Sequence, residues 1–403
     1  MYVPSSFIYE IIQSEQNAVL CESNSKGDLA ILAKLPTSII KAIMAGAPVT
    51  FYVHLTLESP SYIALVLKVQ DNANNPFFAI LPQRWIKDSN KLSSSFFDKD
   101  IEFTIFDETD APVVSSRIKI KTNFKNNRLL KILSSDILKP AIDFNSSMDF
   151  MDAICSVISN NSSKRNKTSI KEFKFATQIS TINNLRAHHI NPLATATYDL
   201  SIGEDGTRQE LQVYQALSLL SDSKTYHSPY VTTGKKDREL TDILCLPSTG
   251  ESIIVESKAL TVDDSVIGTE YEKYVSKMIK RCEKGIGQIE GTYKAIKRKD
   301  RIFVRDTNED IDINHDGLVS GIVLIDEYRD TNRWSEIYKL VCDSKEKYDI
   351  NINIISVSEL IYMIKLYESD MASLLSALND RFKTSIELKT FNLKSYDYSL
   401  PII

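Results

Sequence analysis

Glycine is scarce in this chain, with 12 among 403 residues, about 3 % where about 7 % is usual. That excludes a collagen-like or Gly-rich low-complexity protein. Cysteine is scarcer still: Cys21, Cys155, Cys245, Cys282 and Cys342 are scattered, odd in number and form no C-x-x-C pair. A disulfide framework and a cysteine-built zinc site are both disfavoured, so reduced thiols in a cytoplasmic protein are the expectation. Long apolar runs are missing too. Stretches such as Ile63 to Leu67 fall far short of the ~20 residues that span a bilayer, and no membrane association is expected. The opening MYVPSSFIYEIIQ has neither the basic nor the long apolar region of a secretory signal. Neither sign of charge dominates: 48 Lys and Arg stand against 53 Asp and Glu, a net −5, which alone names no partner.

Familiar catalytic motifs are also absent. There is no G-x-x-x-x-G-K-[ST], no G-x-S-x-G and no H-E-x-x-H, so the sequence offers no P-loop and no serine or zinc hydrolase signature. Gly285 to Gly291 reads GIGQIEG, which is not G-x-G-x-x-G and follows no strand. DINHDG (Asp312 to Gly317) starts like a calcium loop, but Val323 holds the twelfth position, where a bidentate acid is needed. It reads as an acidic turn before a strand. His188 and His189 are adjacent, a poor arrangement for sharing one tetrahedral ion.

What is present is an ordinary globular composition, 43 % hydrophobic and 25 % charged, over a length that suits two or three domains. Residues 1–125 read as a β-rich domain, a small sandwich or barrel. Val49 to Leu57, Tyr62 to Gln70 and Ser115 to Lys121 are β-branched, aromatic and partly alternating. Trp85, Phe96 and Phe97 are either core or an aromatic binding face, with core the better reading. Residues 126–170 read as a helical connector ending in SNNSSKRNKTS (Ser159 to Ser169), a polar linker. Residues 171–403 alternate helix and strand patterns, as an α/β domain with a mixed central sheet flanked by helices does.

Chemistry concentrates in TDILCLPSTGESIIVESKAL, Thr241 to Leu260. Two apolar strands flank Ser248-Thr249-Gly250, and glycine suits the left-handed last position of a three-residue hairpin loop. With that loop, Asp242 lies opposite Glu256, and Lys258, two residues on, shares their face. Two carboxylates and an ammonium would converge at the end of a buried hairpin, where ionised groups need partners. Asp242 and Glu256 are hard oxygen ligands suited to Mg²⁺, with Mn²⁺ as a substitute. Lys258 could orient or deprotonate a water.

An aspartate, a hairpin, then Glu256-Ser257-Lys258 resembles the PD-(D/E)XK nuclease superfamily, with its restriction-endonuclease-like fold. The resemblance covers the C-terminal half. It implies metal ligation by Asp242, Glu256 and the Ser257 carbonyl, with Lys258 acting on the attacking water. Thr241 stands where the pattern has proline. E-x-K itself occurs three times, at Glu172/Lys174, Glu256/Lys258 and Glu387/Lys389. Only the middle pair ends an apolar strand with an aspartate at hairpin distance.

Flanking helices add to the pattern. Gly206 to Leu220 reads as a helix, and the resemblance gives Glu210 as a further acid. Glu210 equally fits a capping box with Thr207. Tyr271 to Lys299 reads as a long helix, with a break expected near Gly285 to Gly291. Between Lys273 and Arg301 ten Lys and Arg stand against three acids. Lys277, Lys280, Arg281 and Lys284 are the expected DNA-backbone contacts. Gln288 resembles the glutamine of a Gln-x-x-x-Tyr element, with Tyr293 one residue too far. Ser358 is the expected N-cap of a closing helix. The expectation is a Mg²⁺-dependent nuclease acting on DNA, with a protein partner or homodimer in view. A catalytically inactive DNA-binding or scaffold subunit is the alternative.

Overall fold

The computed structural model describes residues 2–23, 27–56, 62–72, 74–83, 92–133, 144–158, 170–185, 187–191, 194–200, 205–258, 271–329, 331–367 and 370–393. The chain divides into two compact units, Met1–Ala187 with 199–201 and 263–270, and His188–Tyr198 with 202–262 and 271–403. Among the described residues no helix is long and apolar enough to cross a membrane.

The first unit runs α1 (Ser6–Ser14), β1 (Ala18–Ser23), β2 (Leu29–Lys34), α2 (Thr37–Met44), β3 (Val49–Leu55), β4 (Ile63–Val69), β5 (Phe77–Pro82), β6 (Asp100–Phe106) and β7 (Pro112–Lys121). It continues through α3 (Asn127–Leu133), α4 (Phe144–Ile158), β8 (Lys171–Ile179) and β9 (Asn183–Asn184). The sheet order is β1-β2-β6-β7-β8-β3-β4-β5, with β9 on β7. β2 and β6 pair in parallel. Among the described residues the end strands β1 and β5 lie alongside without pairing, so the sheet curls like an open barrel. Alternation decides the faces of β3. Phe51, Val53 and Leu55 are fully buried on one side, while Tyr52 turns to the opposite face, which α4 covers with Phe150 and Ile154 against Ala64 and Val66.

Two expectations change here and one holds. β8 pairs with both β3 and β7, so the domain boundary lies after residue 171, not at it. The helices within 126–170 are no bare connector, since α4 packs on β4 and β5 to shield their apolar face. Phe96 and Phe97 are buried, and Phe97 packs 4.7 Å from Phe175 between ring centroids, so they are core. Trp85 and the Ser159–Ser169 linker lie outside the described residues.

In chain order the second unit contains the hairpin β10 (Ala187–Asn191) and β11 (Ala194–Tyr198), then α5 (Asp205–Ser218), β12 (Ser223–His227), β13 (Tyr230–Thr233), β14 (Lys236–Glu239), β15 (Ile243–Pro247) and β16 (Ser252–Ser257). Next come α6 (Tyr271–Lys297), β17 (Ile302–Phe303), β18 (Val319–Ile325), α7 (Trp334–Tyr348), β19 (Asn351–Ser356), α8 (Val357–Leu366) and α9 (Met371–Leu388). His188 and His189 therefore sit on a strand.

The main sheet is β12-β15-β16-β18-β19. Its first two pairings are antiparallel and its last two parallel, which makes it mixed. α5, α8 and α9 bury one face against Ile243, Cys245, Ile253, Val255, Ile322 and Leu324. α6 and α7 cover the other. The expected mixed α/β architecture is thus present.

Helix α6 is continuous through Gly285 to Gly291. Glycine costs a helix interior about 1 kcal/mol against alanine, yet a Cβ on Gly285 would stand 3.0 Å from Val323 Cγ1. Close packing on the sheet accounts for the glycine there. The N-cap of α8 is Ser356, whose side chain accepts from Glu359 N at 3.2 Å. Ser358 lies inside the helix, because β19 runs directly into it.

Candidate active site

The hairpin between β15 and β16 turns as its sequence dictates. Gly250 N donates to Pro247 O at 3.1 Å, and Gly250 takes the left-handed φ of +84°. Ile243 pairs with Val255, Leu244 with Ile254 and Cys245 with Ile253. One step further along the same register, Asp242 faces Glu256. Side chains alternate, so Ile253 and Val255 meet α5 while Ile254 and Glu256 turn toward α6.

Asp242, Glu256 and Lys258 do converge. Lys258 Nζ donates to Glu256 Oε2 at 2.8 Å and to the Ser257 carbonyl at 3.0 Å, with Asp242 Oδ2 at 3.4 Å. Ser257 N donates to Asp242 Oδ2 at 2.6 Å. Lys258 N adds a bond to Leu324 O at 2.9 Å, which holds its backbone beside the end of β18. Glu256 is fully buried, and among the described residues its Oε1 makes no hydrogen bond of normal geometry, although the Thr241 side chain reaches the carboxyl. Burial, then the charge of Asp242, pushes the Glu256 carboxyl up to about 7 against the pull of Lys258. Burial also raises Asp242, opposed first by Lys258 and then by the Ser257 amide.

A divalent cation fits this donor set. The three groups given by the resemblance, two carboxylates and the Ser257 carbonyl, already converge on one cation, the Lys258 ammonium. Glu256 Oε1 is a buried carboxyl oxygen that further positive charge would stabilise. Among the described residues no group of three or more His, Cys, Asp and Glu side chains is arranged to hold a metal. Ligation would then come from Asp242, Glu256 and the Ser257 carbonyl, with water completing the shell, as Mg²⁺ prefers.

The remaining expected residues divide. Glu210 sits on α5, where its charge reaches Asp242 and raises that carboxyl, and its Oε2 lies 3.8 Å from His227 Nε2. It does not close a capping box, because α5 opens at Asp205 and Thr207 is already inside its first turn. Gln288 lies on α6 between Gly285, whose added Cβ would stand 3.3 Å from Lys258 Cε, and Thr292, which donates to Leu240 O at 2.7 Å. Its Oε1 is buried and, among the described residues, has no partner. Lys277, Lys280 and Lys284 are exposed on α6, and Arg281 is half-buried. The acidic turn precedes β18, and Lys297 holds its His315 and Gly317 carbonyls at 2.9 and 3.0 Å. The other E-x-K pairs lie on β8 and at the end of α9.

Sequence reasoning missed four supporting residues. Buried Gln209 accepts from Ser257 Oγ at 2.9 Å and ties α5 to the end of β16. Thr241 Oγ1 donates to Val255 O at 3.1 Å across the hairpin. His227 flanks Glu210, and Gly285 makes room for Lys258. Only Gln209, beside Glu210 in sequence, carried a signal. Comparison with family models, curated proteins and solved structures found no match to this chain.

Proposed function

We propose that the chain is a Mg²⁺-dependent nuclease that hydrolyses DNA phosphodiester bonds with its second unit, in the setting of bacterial restriction or anti-phage defence. One observation carries this reading: Asp242 Oδ2, Glu256 Oε2 and Ser257 O surround a single cationic point at the end of a buried hairpin. Asp242, Glu256 and the Ser257 carbonyl would hold the ion, which when bound stabilises charge developing at phosphorus and lowers the pKa of a bound water. Lys258 orients the attacking water and exchanges a proton at Nζ. Glu210 adds negative charge beside Asp242, and Gln288 offers a free carbonyl oxygen along α6. The basic residues Lys277, Lys280, Arg281 and Lys284 would follow a phosphate backbone. The first unit would recognise the substrate or a protein partner.

The test is nicking or cutting of supercoiled plasmid by the full chain with Mg²⁺ or Mn²⁺. Asp242→Ala and Lys258→Ala should each abolish product; cleavage by both at the wild-type rate overturns the assignment. A second reading, an inactive DNA-binding or scaffold subunit, is favoured by Lys258 itself filling the cation position. Calorimetric titration with Mn²⁺ separates the two, since a scaffold would bind DNA while taking up no metal.

A further inference from the structure

The first unit contains a cavity of about 330 Å³ lined by Tyr52, His54, Val66, Lys68, Phe78, Val157, Ile158 and Glu172. It lies on the face of β3, β4, β5 and β8 that α4 covers, at the C-terminal end of that helix. Strand register explains its walls. Tyr52 pairs with Val66, Lys68 with Phe78 and His54 with Glu172, so alternate residues of neighbouring strands all face inward. The volume falls within the range of about 300–1,000 Å³ that suits small ligands.

Its polar groups are arranged for a ligand. His54 is only 1 % exposed, and its Nε2 lies 3.2 Å from Glu172 Oε2. This hydrogen bond is the first cause holding the Glu172 carboxyl below its usual range. In the ring tautomer that places its hydrogen on Nε2, toward Glu172, Nδ1 is an acceptor. That Nδ1 is buried and, among the described residues, has no partner. Opposite stands Lys68, half-buried, its ammonium 5.9 Å from the Phe78 ring centroid. Among the described residues Lys68 has no carboxylate partner. The cavity thus combines two aromatic walls, a buried acceptor and an unneutralised cation.

We propose that this cavity binds a nucleotide whose base carries an exocyclic amine. The base packs over Val66 between Tyr52 and Phe78, its amine donates to His54 Nδ1, and its phosphate meets Lys68. Each element answers one group: aromatic faces stack on a base, an orphaned acceptor needs an N–H donor, and a lone ammonium needs an anion. A fatty chain would leave Nδ1 unpaired, and inorganic phosphate would leave the aromatic walls unused. The same chemistry is available from a free nucleotide or from a base within a single strand.

The test is calorimetric titration of the full chain in metal-free buffer, which makes it independent of the second unit. The ligands are AMP, GMP and CMP against IMP and UMP, with adenosine and a short oligo(dA). At least one amine-bearing nucleotide should bind, about tenfold or more tighter than IMP and UMP, whose only base N–H lies within the ring beside a carbonyl oxygen that would crowd the Nδ1 lone pair. Lys68→Met should weaken AMP about tenfold and leave adenosine unchanged. His54→Gln should erase the preference for the amine. Tighter binding of oligo(dA) than of AMP, lost in Lys68→Met, assigns the site to a strand; AMP binding alone assigns it to free nucleotide. No binding of any ligand up to millimolar concentration, or variants that bind as wild type, overturns the proposal. If His54→Gln fails to fold, Lys68→Met alone decides, because its side chain is half-exposed.

Discussion

Gly285 and Lys258 are in contact across the face of the sheet. A methyl group on Gly285 would meet Lys258 Cε at 3.3 Å and Val323 Cγ1 at 3.0 Å. Helix propensity favours alanine here by about 1 kcal/mol, while packing opposes it. Gly285→Ala should therefore fold with a melting temperature near wild type but shift the Lys258 ammonium, lowering plasmid cleavage at least tenfold. Gly285→Val should destabilise outright. Wild-type cleavage by Gly285→Ala would detach this glycine from the site.

Among the described residues, Lys258 is the one cation hydrogen-bonded to the fully buried Glu256. Removing one member of such a pair costs about 3–5 kcal/mol, because the other charge stays buried alone. Lys258→Met should lower stability by about 3 kcal/mol at pH 8, and by less at pH 6, where Glu256 accepts a proton. Glu256→Gln combined with Lys258→Met should recover most of the loss. Urea unfolding of the single and double variants at both pH values tests this, and equal losses at pH 6 and pH 8 contradict it.

Two fully buried carboxyls, one in each unit, have raised pKa values. Burial, then the neighbouring Glu108, pushes Asp107 up to about 7, and Glu256 also rises to about 7. Between the ordinary carboxylate range and pH 7 the folded chain holds protons that the unfolded chain has released. Stability therefore falls as pH rises through that window and levels off above it. The melting temperature should be higher at pH 5.5 than at pH 8. Asp107→Asn should flatten part of the slope, and an unchanged profile in that variant would remove Asp107 as a source.

The exposed lysines of α6 make a measurable claim about salt. Each phosphate contact contributes about 0.9 to the slope of log affinity against log salt on duplex DNA. Replacing Lys277, Lys280 and Lys284 together by Gln should reduce that slope by about 2.7, read by fluorescence anisotropy in metal-free buffer. Retention of the full slope would place the DNA elsewhere.

Strand alternation and turn chemistry made the hairpin legible from sequence. A glycine three residues after Pro247 fixed the loop, and the loop fixed Asp242 against Glu256. The elements around it were legible where apolar spacing was regular, as in α6. What stayed hidden depends on contacts between distant segments. Gln209 acquires its role only when α5 lies against the end of β16. The boundary at 171 was misplaced because Lys171–Ile179 gives no sign of its pairing partners, and those partners, β3 and β7, lie more than fifty residues upstream. Phe96 and Phe97 read as core from composition, but their partner, Phe175 on β8 against Phe97, was not legible.

The place of β8 bears on how the chain folds as it is made. β1, β2, β6 and β7 form one half of the first sheet and β3, β4 and β5 the other, and β8 is the strand that joins them. Until Ile179 has left the ribosome, both halves expose an unpaired edge, the condition that invites strands from other chains. A fragment ending before β8 should aggregate through those edges, whereas extending it past Ile179 supplies the missing pairing from within the same chain.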